Sequence, residues 1–504
     1  MTFFRAAVCA ALFLSGAASG ARAQDVTLSS PDGAVEITGS LLGFDGEFYR
    51  VQTEFGDLTV DGSGVSCEGP GCPSLSAYVA ELTLSGSAGM AEVLLPALLE
   101  GFALRNGYQA RRDAGPGSEF TYVLLDNGRP AARFHFLPST TDSGFADLLA
   151  GDADLVMAQR EVRPAERSDA RTAGLGDLTQ TGRGRVLALD ALVPVVAPGN
   201  PVQRITLPQL ADVFAGRITS WADLGGPEAP VSLHLPPQGS GLAQAVEDRL
   251  MSPAGLDLAQ ELGRHSRSSA LARAVTIDPF AIGIASYAET GAARPLTLTG
   301  PCGFELAATR RSIKTEDYPL SAPMFLYLPA RRLPQAGREF MAYVRGQGAQ
   351  SVIRRAGFVD QRSEAVPLSD QGRRLANAVA AAGPETDLSE LQRMLAALDG
   401  LQRLTASVRF EPGSARPDAQ SRENIQSLAR GLEAGEYDAR RLVFAGFSDG
   451  DGPAAANRQI ALKRAEAVRD AVLDAAVTAD AGRVEISVQA FGEAMPMVCD
   501  DSAW

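Results

Sequence analysis

Three short Ser/Gly-rich segments stand where a strand-like run gives way to a helix-like one: Ser85-Gly86-Ser87-Ala88-Gly89, Ser139-Thr140-Thr141-Asp142-Ser143-Gly144 and Gln238-Gly239-Ser240-Gly241. The first N–H groups of a helix lack partners within it and carry partial positive charge, and small residues let an anion approach them closely. The hydroxyls of Ser87, Ser139, Thr141, Ser143 and Ser240 add further donors. Such turns can hold an oxyanion without lysine, and this chain has only two lysines, Lys314 and Lys463. Each turn alone is also an ordinary helix cap. Three in one region point to a shared anion.

A second constellation lies near the C-terminus. Asp449 sits in a Gly-rich stretch, and Asn457, Ile460 and Arg464 follow at near-helical spacing, beside an apolar stripe of Ala461, Ala465, Val468 and Val472. A loop carboxylate accepts from an ammonium group and a guanidinium pairs with a carboxylate, so Asp449 and Arg464 can hold the two ends of a zwitterion. The same stretch, Gly446-Phe447-Ser448-Asp449-Gly450, matches the G-x-S-x-G elbow of hydrolases. That mechanism needs a histidine after the serine, and His135, His234 and His265 all precede Ser448. The match is coincidental, and no catalytic residues are assigned.

Composition narrows the function further. The 504 residues carry 60 acidic against 46 basic side chains and are 45% hydrophobic, an ordinary globular balance. An acidic chain without a long basic run is a poor nucleic-acid binder. Three scattered histidines argue against a His-based metal centre, and nothing calls for a cofactor. Residues 1–23 read as a signal peptide: Arg5, the apolar run Ala6–Leu14, then Ala21-Arg22-Ala23 before a cut ahead of Gln24. No later run reaches the roughly 18 apolar residues of a membrane span. Of the five cysteines, Cys9 falls in the signal. Cys67-Glu-Gly-Pro-Gly-Cys72 turns tightly enough to make Cys67–Cys72 the first choice of disulfide, leaving Cys302 and Cys499 either joined or free.

The elements that carry these residues divide the chain. Residues 24–75 form a small β module, with strands expected at Val35–Gly39, Glu47–Thr53 and Asp57–Asp61. Residues 76–360 alternate strands and helices, an α/β pattern, with strands at Glu81–Ser85, Phe120–Leu125, Asp154–Ala158 and Val186–Val196 and a helix at Ala91–Phe102. The long apolar run Val186–Val196 suits a parallel strand covered on both faces. Residues 361–400 are a helical linker in which Asp387 and Glu390 read as a capping box and Leu388, Leu391, Leu395 and Leu398 as a helical stripe. Residues 401–504 return to α/β character, with strands near Ser407–Glu411, Arg441–Gly446 and Val484–Phe491 and helices near Ala419–Glu433 and Asn457–Ala475.

Residues 76–360 resemble the periplasmic substrate-binding proteins of the phosphate-binding, PstS-like type. The likeness rests on Ala188-Leu-Asp-Ala-Leu-Val-Pro194, Ile205-Thr-Leu-Pro-Gln-Leu-Ala-Asp-Val-Phe-Ala-Gly216, Ile218-Thr-Ser-Trp221, Asp278-Pro-Phe-Ala-Ile-Gly283 and Tyr318-Pro-Leu-Ser321. The resemblance implies a two-lobed fold closing by hinge motion on phosphate or a similar oxyanion, served by an ABC permease. Its ligand groups map to Ser87, Ala88, Gly89, Ser139, Ser143, Gly239, Ser240 and Gly241. Where phosphate binders of this type place a proton-accepting aspartate, after Asp154-Leu-Val-Met-Ala158, this chain has Gln159-Arg160. Arg160 is then expected to pair with the anion, though it cannot accept a proton.

Residues 401–504 resemble the OmpA-like domain that binds peptidoglycan, through Phe410-Glu-Pro-Gly-Ser414, Phe444-Ala-Gly-Phe-Ser-Asp449-Gly450 and Asn457 through Val468. The resemblance implies that Asp449 and Arg464, with Asn457 on the same helix face, grip the diaminopimelate of the peptide stem. It also expects a closing strand after Gly492-Glu493 that the remaining residues do not supply, leaving a sheet edge open. Together these readings describe a non-enzymatic binding protein of the periplasm, held to the wall at the inner face of the outer membrane. The alternatives are a secreted hydrolase of wall glycan or phosphoesters, and a wall-bound scaffold whose cleft is empty.

Overall fold

The computed structural model describes residues 24–74, 78–300, 304–380, 382–383, 386–411, 414, 416–450 and 452–495. The signal-peptide reading, Cys302, Cys499 and the expectation about a closing strand past Glu493 fall mostly or wholly outside them. Among the described residues no helix is long and apolar enough to cross a membrane.

The chain divides into two compact units, up to Ala80 and from Glu81 onward. The first is an all-antiparallel five-stranded sheet of Gln24–Ser29, Glu36–Phe44, Phe48–Thr53, Gly56–Asp61 and Ser66–Glu68. Val26, Leu28, Tyr49 and Val51 supply its buried face, a core so small that a covalent link adds usefully to it. That link is the Cys67–Cys72 disulfide, across Cα atoms 5.7 Å apart.

The second unit is built on a long mixed sheet. In spatial order its main strands are Gly263–Arg264, Ser232–Leu235, Ala281–Ser286, Gly184–Val196, Ser321–Tyr327, Leu155–Ala158, Ala80–Ser87, Arg129–Ser139, Phe120–Asp126 and Gln109–Ala114. Gly184–Val196 belongs to both lobes. Its first half pairs with Ser321–Tyr327, and its second half with Ala281–Ser286. Both pairings are antiparallel, which corrects the parallel strand expected there. Continuous apolarity reports that both faces are covered, and Val186 to Val196 are buried without interruption; it does not fix strand direction. Asp190 is the polar exception. It accepts from Ser286 Oγ at 2.6 Å and from the amides of Ala191 and Tyr287, both at 2.8 Å. Burial still pushes its carboxyl up to about 6.

In the C-terminal part, helices Ala419–Glu433 and Ala454–Ala475 cover a parallel pair of strands, Arg441–Gly446 and Glu485–Ala490. Ile425, Leu428, Leu432, Val468 and Val472 fill the space between. The strand expected at Ser407–Glu411 forms no ladder, apart from a bridge from Phe410 to Pro417. Asp387 caps Leu388–Leu398 as expected, accepting from the Glu390 amide at 2.9 Å. Of the leucine stripe, Leu391 is buried while Leu388 is 69% exposed, and Met394 takes the inward position instead.

The C-terminal part is docked on the lobes through a polar seam. Asp317 accepts from Arg403 at 2.6 and 2.9 Å and also from Arg374. Ser407 Oγ donates to the Thr315 carbonyl at 2.8 Å, and Asn424 donates to Glu316 Oε1 at 3.4 Å. Glu161 Oε1 accepts from the amide of Ala419, the first residue of its helix, at 3.3 Å.

Candidate functional site

The three Ser/Gly turns begin three helices, and the structure brings them around one side chain, Gln159. The first turn closes strand Ala80–Ser87 and opens the helical run Met90–Leu94 and Leu95–Asn106. Ser87 Oγ accepts from the Met90 amide at 3.4 Å and donates to Gln159 Oε1 at 2.9 Å. Ala88 and Gly89 are half-buried at the mouth of this turn, and a Cβ on Gly89 would lie 3.8 Å from Gln159 Nε2.

In the second turn Thr140 caps helix Thr141–Ala150, accepting from the Ser143 amide at 3.1 Å and bonding Ser143 Oγ at 2.9 Å. Thr141 Oγ1 accepts from the backbone N–H of Gln159 at 3.3 Å. The third turn comes from the other lobe. Ser240 caps helix Gly241–Val246 by accepting from the Ala243 amide at 3.3 Å. A Cβ on Gly241 would lie 2.6 Å from Gln159 Cβ and 2.7 Å from Thr141 Oγ1, and one on Gly239 3.8 Å from Thr140 Cγ2. Two lobes thus meet at this ring.

Ser139 stands apart. Its Oγ lies 3.5 Å from Ser85 Oγ, which donates to Asp147 Oδ2 at 2.5 Å.

Arg160 requires a correction. All five of its N–H groups are engaged within the protein. Nε donates to Gln244 Oε1 at 2.9 Å, and Nη1 to the Glu161 carbonyl and Glu166 Oε2, both at 2.9 Å. Nη2 donates to Glu166 Oε1 at 2.6 Å and to Asp142. A guanidinium has no sixth donor, so in this conformation none faces an anion. Its role is structural: Gln244 Nε2 also donates to Asp142 Oδ2 at 2.6 Å, making a tie between the lobes. Burial opposes charge on Asp142, but the bond from Arg160 overrides it and holds the carboxyl below its usual range. Gln244, Thr140 and the orienting role of Gln159 were not assigned from sequence. The T-x-x-S cap at Thr140 was the one local signal available for them.

At the C-terminal constellation, Asp449 is exposed in the loop after strand Arg441–Gly446. Gly446 lets helix Ala454–Ala475 pack tightly on that strand, where a Cβ would come within 3.1 Å of Ala465 Cβ. Arg464 lies on this helix, half-buried, with its guanidinium carbon 5.3 Å from the centroid of the Phe410 ring. Asn457 is corrected from a ligand group to a clamp. It is 1% exposed, and its Nδ2 donates to the Gly452 carbonyl at 3.4 Å and to Glu493 Oε2 at 3.2 Å. Among the described residues no cluster of His, Cys, Asp and Glu could hold a metal ion.

Two lobes that share the strand Gly184–Val196 and meet at three helix starts have the architecture of a solute-binding protein. The chain matches the PBP superfamily domain over residues 79–346, more than half its length, and belongs to that superfamily; residues 409–503 match the OmpA family. The PstS-like resemblance has curated relatives behind it. Protein SphX of Synechococcus elongatus is 24% identical over 245 residues, covering 46% of this chain and 70% of that protein. The phosphate-binding protein PstS of Staphylococcus epidermidis is 24% identical over 231 residues, covering 44% and 67% respectively. A solved putative phosphate ABC transporter substrate-binding protein from Clostridium perfringens, with bound phosphate, aligns over 56% of this chain and all of its own, at 18% identity and a TM-score of 0.43.

Proposed function

We propose that the protein is an exported periplasmic receptor that captures phosphate or a related tetrahedral oxyanion between its lobes and is tethered to peptidoglycan by its OmpA-like domain. The observation that carries this reading is the convergence of three helix N-termini, from both lobes, on the buried residue Gln159, through its side chain and its backbone N–H. Backbone N–H groups and hydroxyls supply the positive end of the interaction, so an acidic protein holds an anion without a basic patch. The binding residues are Ser87, Ala88, Gly89, Ser143, Gly239, Ser240 and Gly241. Binding, release to a membrane permease and no bond-breaking step make this a non-enzymatic function.

Tethering raises the receptor's local concentration at the wall and along the inner face of the outer membrane. Asp449 and Arg464 grip the zwitterionic end of a diaminopimelate stem, supported by the Gly446 packing that sets loop against helix. Calorimetric titration of the full chain with phosphate, sulfate and a phosphorylated metabolite is expected to give saturable heat with at least one of them. Silence with all three rejects the reading. Purified peptidoglycan is expected to sediment the wild-type protein and to leave Asp449→Ala and Arg464→Ala mostly in the supernatant. Equal sedimentation of all three removes the assigned grip.

A further inference from the structure

Building on the oxyanion reading, we propose that the cleft prefers tetrahedral anions carrying no proton, of the sulfate type, and that Gln159 sets this preference. Gln159 is 5% exposed, and its Nε2 is a buried nitrogen with no hydrogen-bond partner. A buried amide left with two idle N–H groups is costly and uncommon. Its position at the meeting of three helix starts provides the explanation: the missing partner is an oxygen of the ligand.

The orientation of the amide follows from its neighbour. Ser87 Oγ already accepts from the Met90 amide, so its own proton is free to donate to Gln159 Oε1 at 2.9 Å. The oxygen end of Gln159 is thereby engaged, and the nitrogen end is what remains for a ligand. Ser240 adds a second donor of the same kind, because its Oγ accepts from the Ala243 amide and its proton is unassigned to any cap bond.

Acceptors are treated in the opposite way. Asp142, the carboxylate in the first turn of the second helix, has one oxygen on Arg160 and the other on Gln244 Nε2 at 2.6 Å. Thr140 and Thr141 direct their oxygens at the Ser143 and Gln159 amides. A ligand O–H aimed at Gln159 Nε2 or at the helix-start N–H groups meets donors, whereas every oxygen of a fully deprotonated tetrahedral anion is an acceptor. Hydrogen phosphate keeps at least one O–H across neutral pH and must bury it against this surface; sulfate has none to bury.

The test is competitive calorimetry on the full chain with sodium sulfate and sodium phosphate, at pH 6 and pH 8.5, for the wild type and Gln159→Asp. We expect the wild type to bind sulfate about tenfold more tightly than phosphate, the factor that corresponds to one unsatisfied buried hydrogen-bonding group. Its phosphate affinity is expected to rise from pH 6 to pH 8.5, as the ligand sheds a proton. Gln159→Asp, which offers an acceptor and a negative charge, is expected to weaken sulfate tenfold or more and to reverse the ratio. A wild type that prefers phosphate overturns this proposal while leaving the oxyanion receptor intact. An unchanged ratio in a folded Gln159→Asp does the same. If neither anion binds the wild type, this proposal falls, and the receptor reading falls with it only when the phosphorylated metabolite is silent as well.

Discussion

Gly241→Ala is expected to lower anion affinity by about 10- to 100-fold while leaving the melting temperature of the ligand-free protein within a degree or two of the wild type. The reason is closeness, not backbone freedom. Gly241 opens its helix outside the left-handed region, so alanine fits the backbone there, unlike at Gly239, where φ is +75°. The added methyl would stand 2.6 Å from Gln159 Cβ, 2.7 Å from Thr141 Oγ1 and 3.1 Å from Gln159 Oε1. These atoms belong to the facing lobe, and two of them sit on the ring of helix starts proposed to receive the ligand. Keeping the lobes apart by even an ångström removes helix-start donors from reach, because hydrogen bonds weaken steeply with distance and angle. The expectation for the ligand-free melt rests on lobes that part when no anion holds them, which relieves this contact. Calorimetry and thermal melts on the same preparation separate the two effects. Wild-type affinity in Gly241→Ala would mean that capture does not need this approach.

The parts of this molecule that were legible in its sequence are those fixed by short-range chemistry. The helix expected near Ala419–Glu433 spans those residues, and the structure shows why a local reading suffices: Asp418 caps it and its apolar residues recur at helical spacing. The three Ser/Gly turns were visible for the same reason: a small residue with a hydroxyl ahead of a helix is a local arrangement. That the turns meet at Gln159 depends on contacts such as Ser87 with Gln159, 72 residues apart, and no spacing rule reaches that far. Arg160 shows the cost of reading charge without partners. Its engaging groups include Asp142 and Gln244, 18 and 84 residues away, and together they turn an expected ligand residue into a fastener. The segment near Ser407–Glu411 was half legible. Leu404, Ala406, Val408 and Phe410 alternate toward the core as a strand would, but the Ser407 carbonyl accepts from Asn424 and its hydroxyl donates to Thr315. Alternation identifies which side chains are buried; the hydrogen-bond partner is a tertiary matter.

Asp317→Ala is expected to destabilise the docking of the OmpA-like part by about 1.5–3 kcal/mol, the usual worth of hydrogen bonds to a charged group, because the ion pair is partly rather than fully buried. Burial disfavours the Asp317 charge, yet Arg374 and Arg403 hold its carboxyl down to about 2, against an ordinary value of 3.8. The stability it contributes is therefore present above about pH 4 and lost as pH falls toward 2. Its neighbour Glu316 behaves in the opposite sense. Held in the left-handed region at φ +57° and buried beside Asn424, it is pushed by burial up to about 7, against an ordinary 4.5. A raised acid binds its proton more tightly in the folded chain, so stability falls as pH rises from about 4.5 to 7 and stays lower above that. Two adjacent carboxylates thus bracket the seam: one weakens it in strong acid, the other at neutral pH. Melting curves from pH 3.5 to 8.5, with limited proteolysis of the linker around residues 361–400 as a measure of undocking, distinguish them. Asp317→Ala is expected to expose the linker at every pH above 4. Glu316→Gln is expected to flatten the decline between pH 5 and 8, because it removes the group that must ionise there. A linker cut no faster in Asp317→Ala than in the wild type would show that the arginine pair on this carboxylate is not what holds the two parts together.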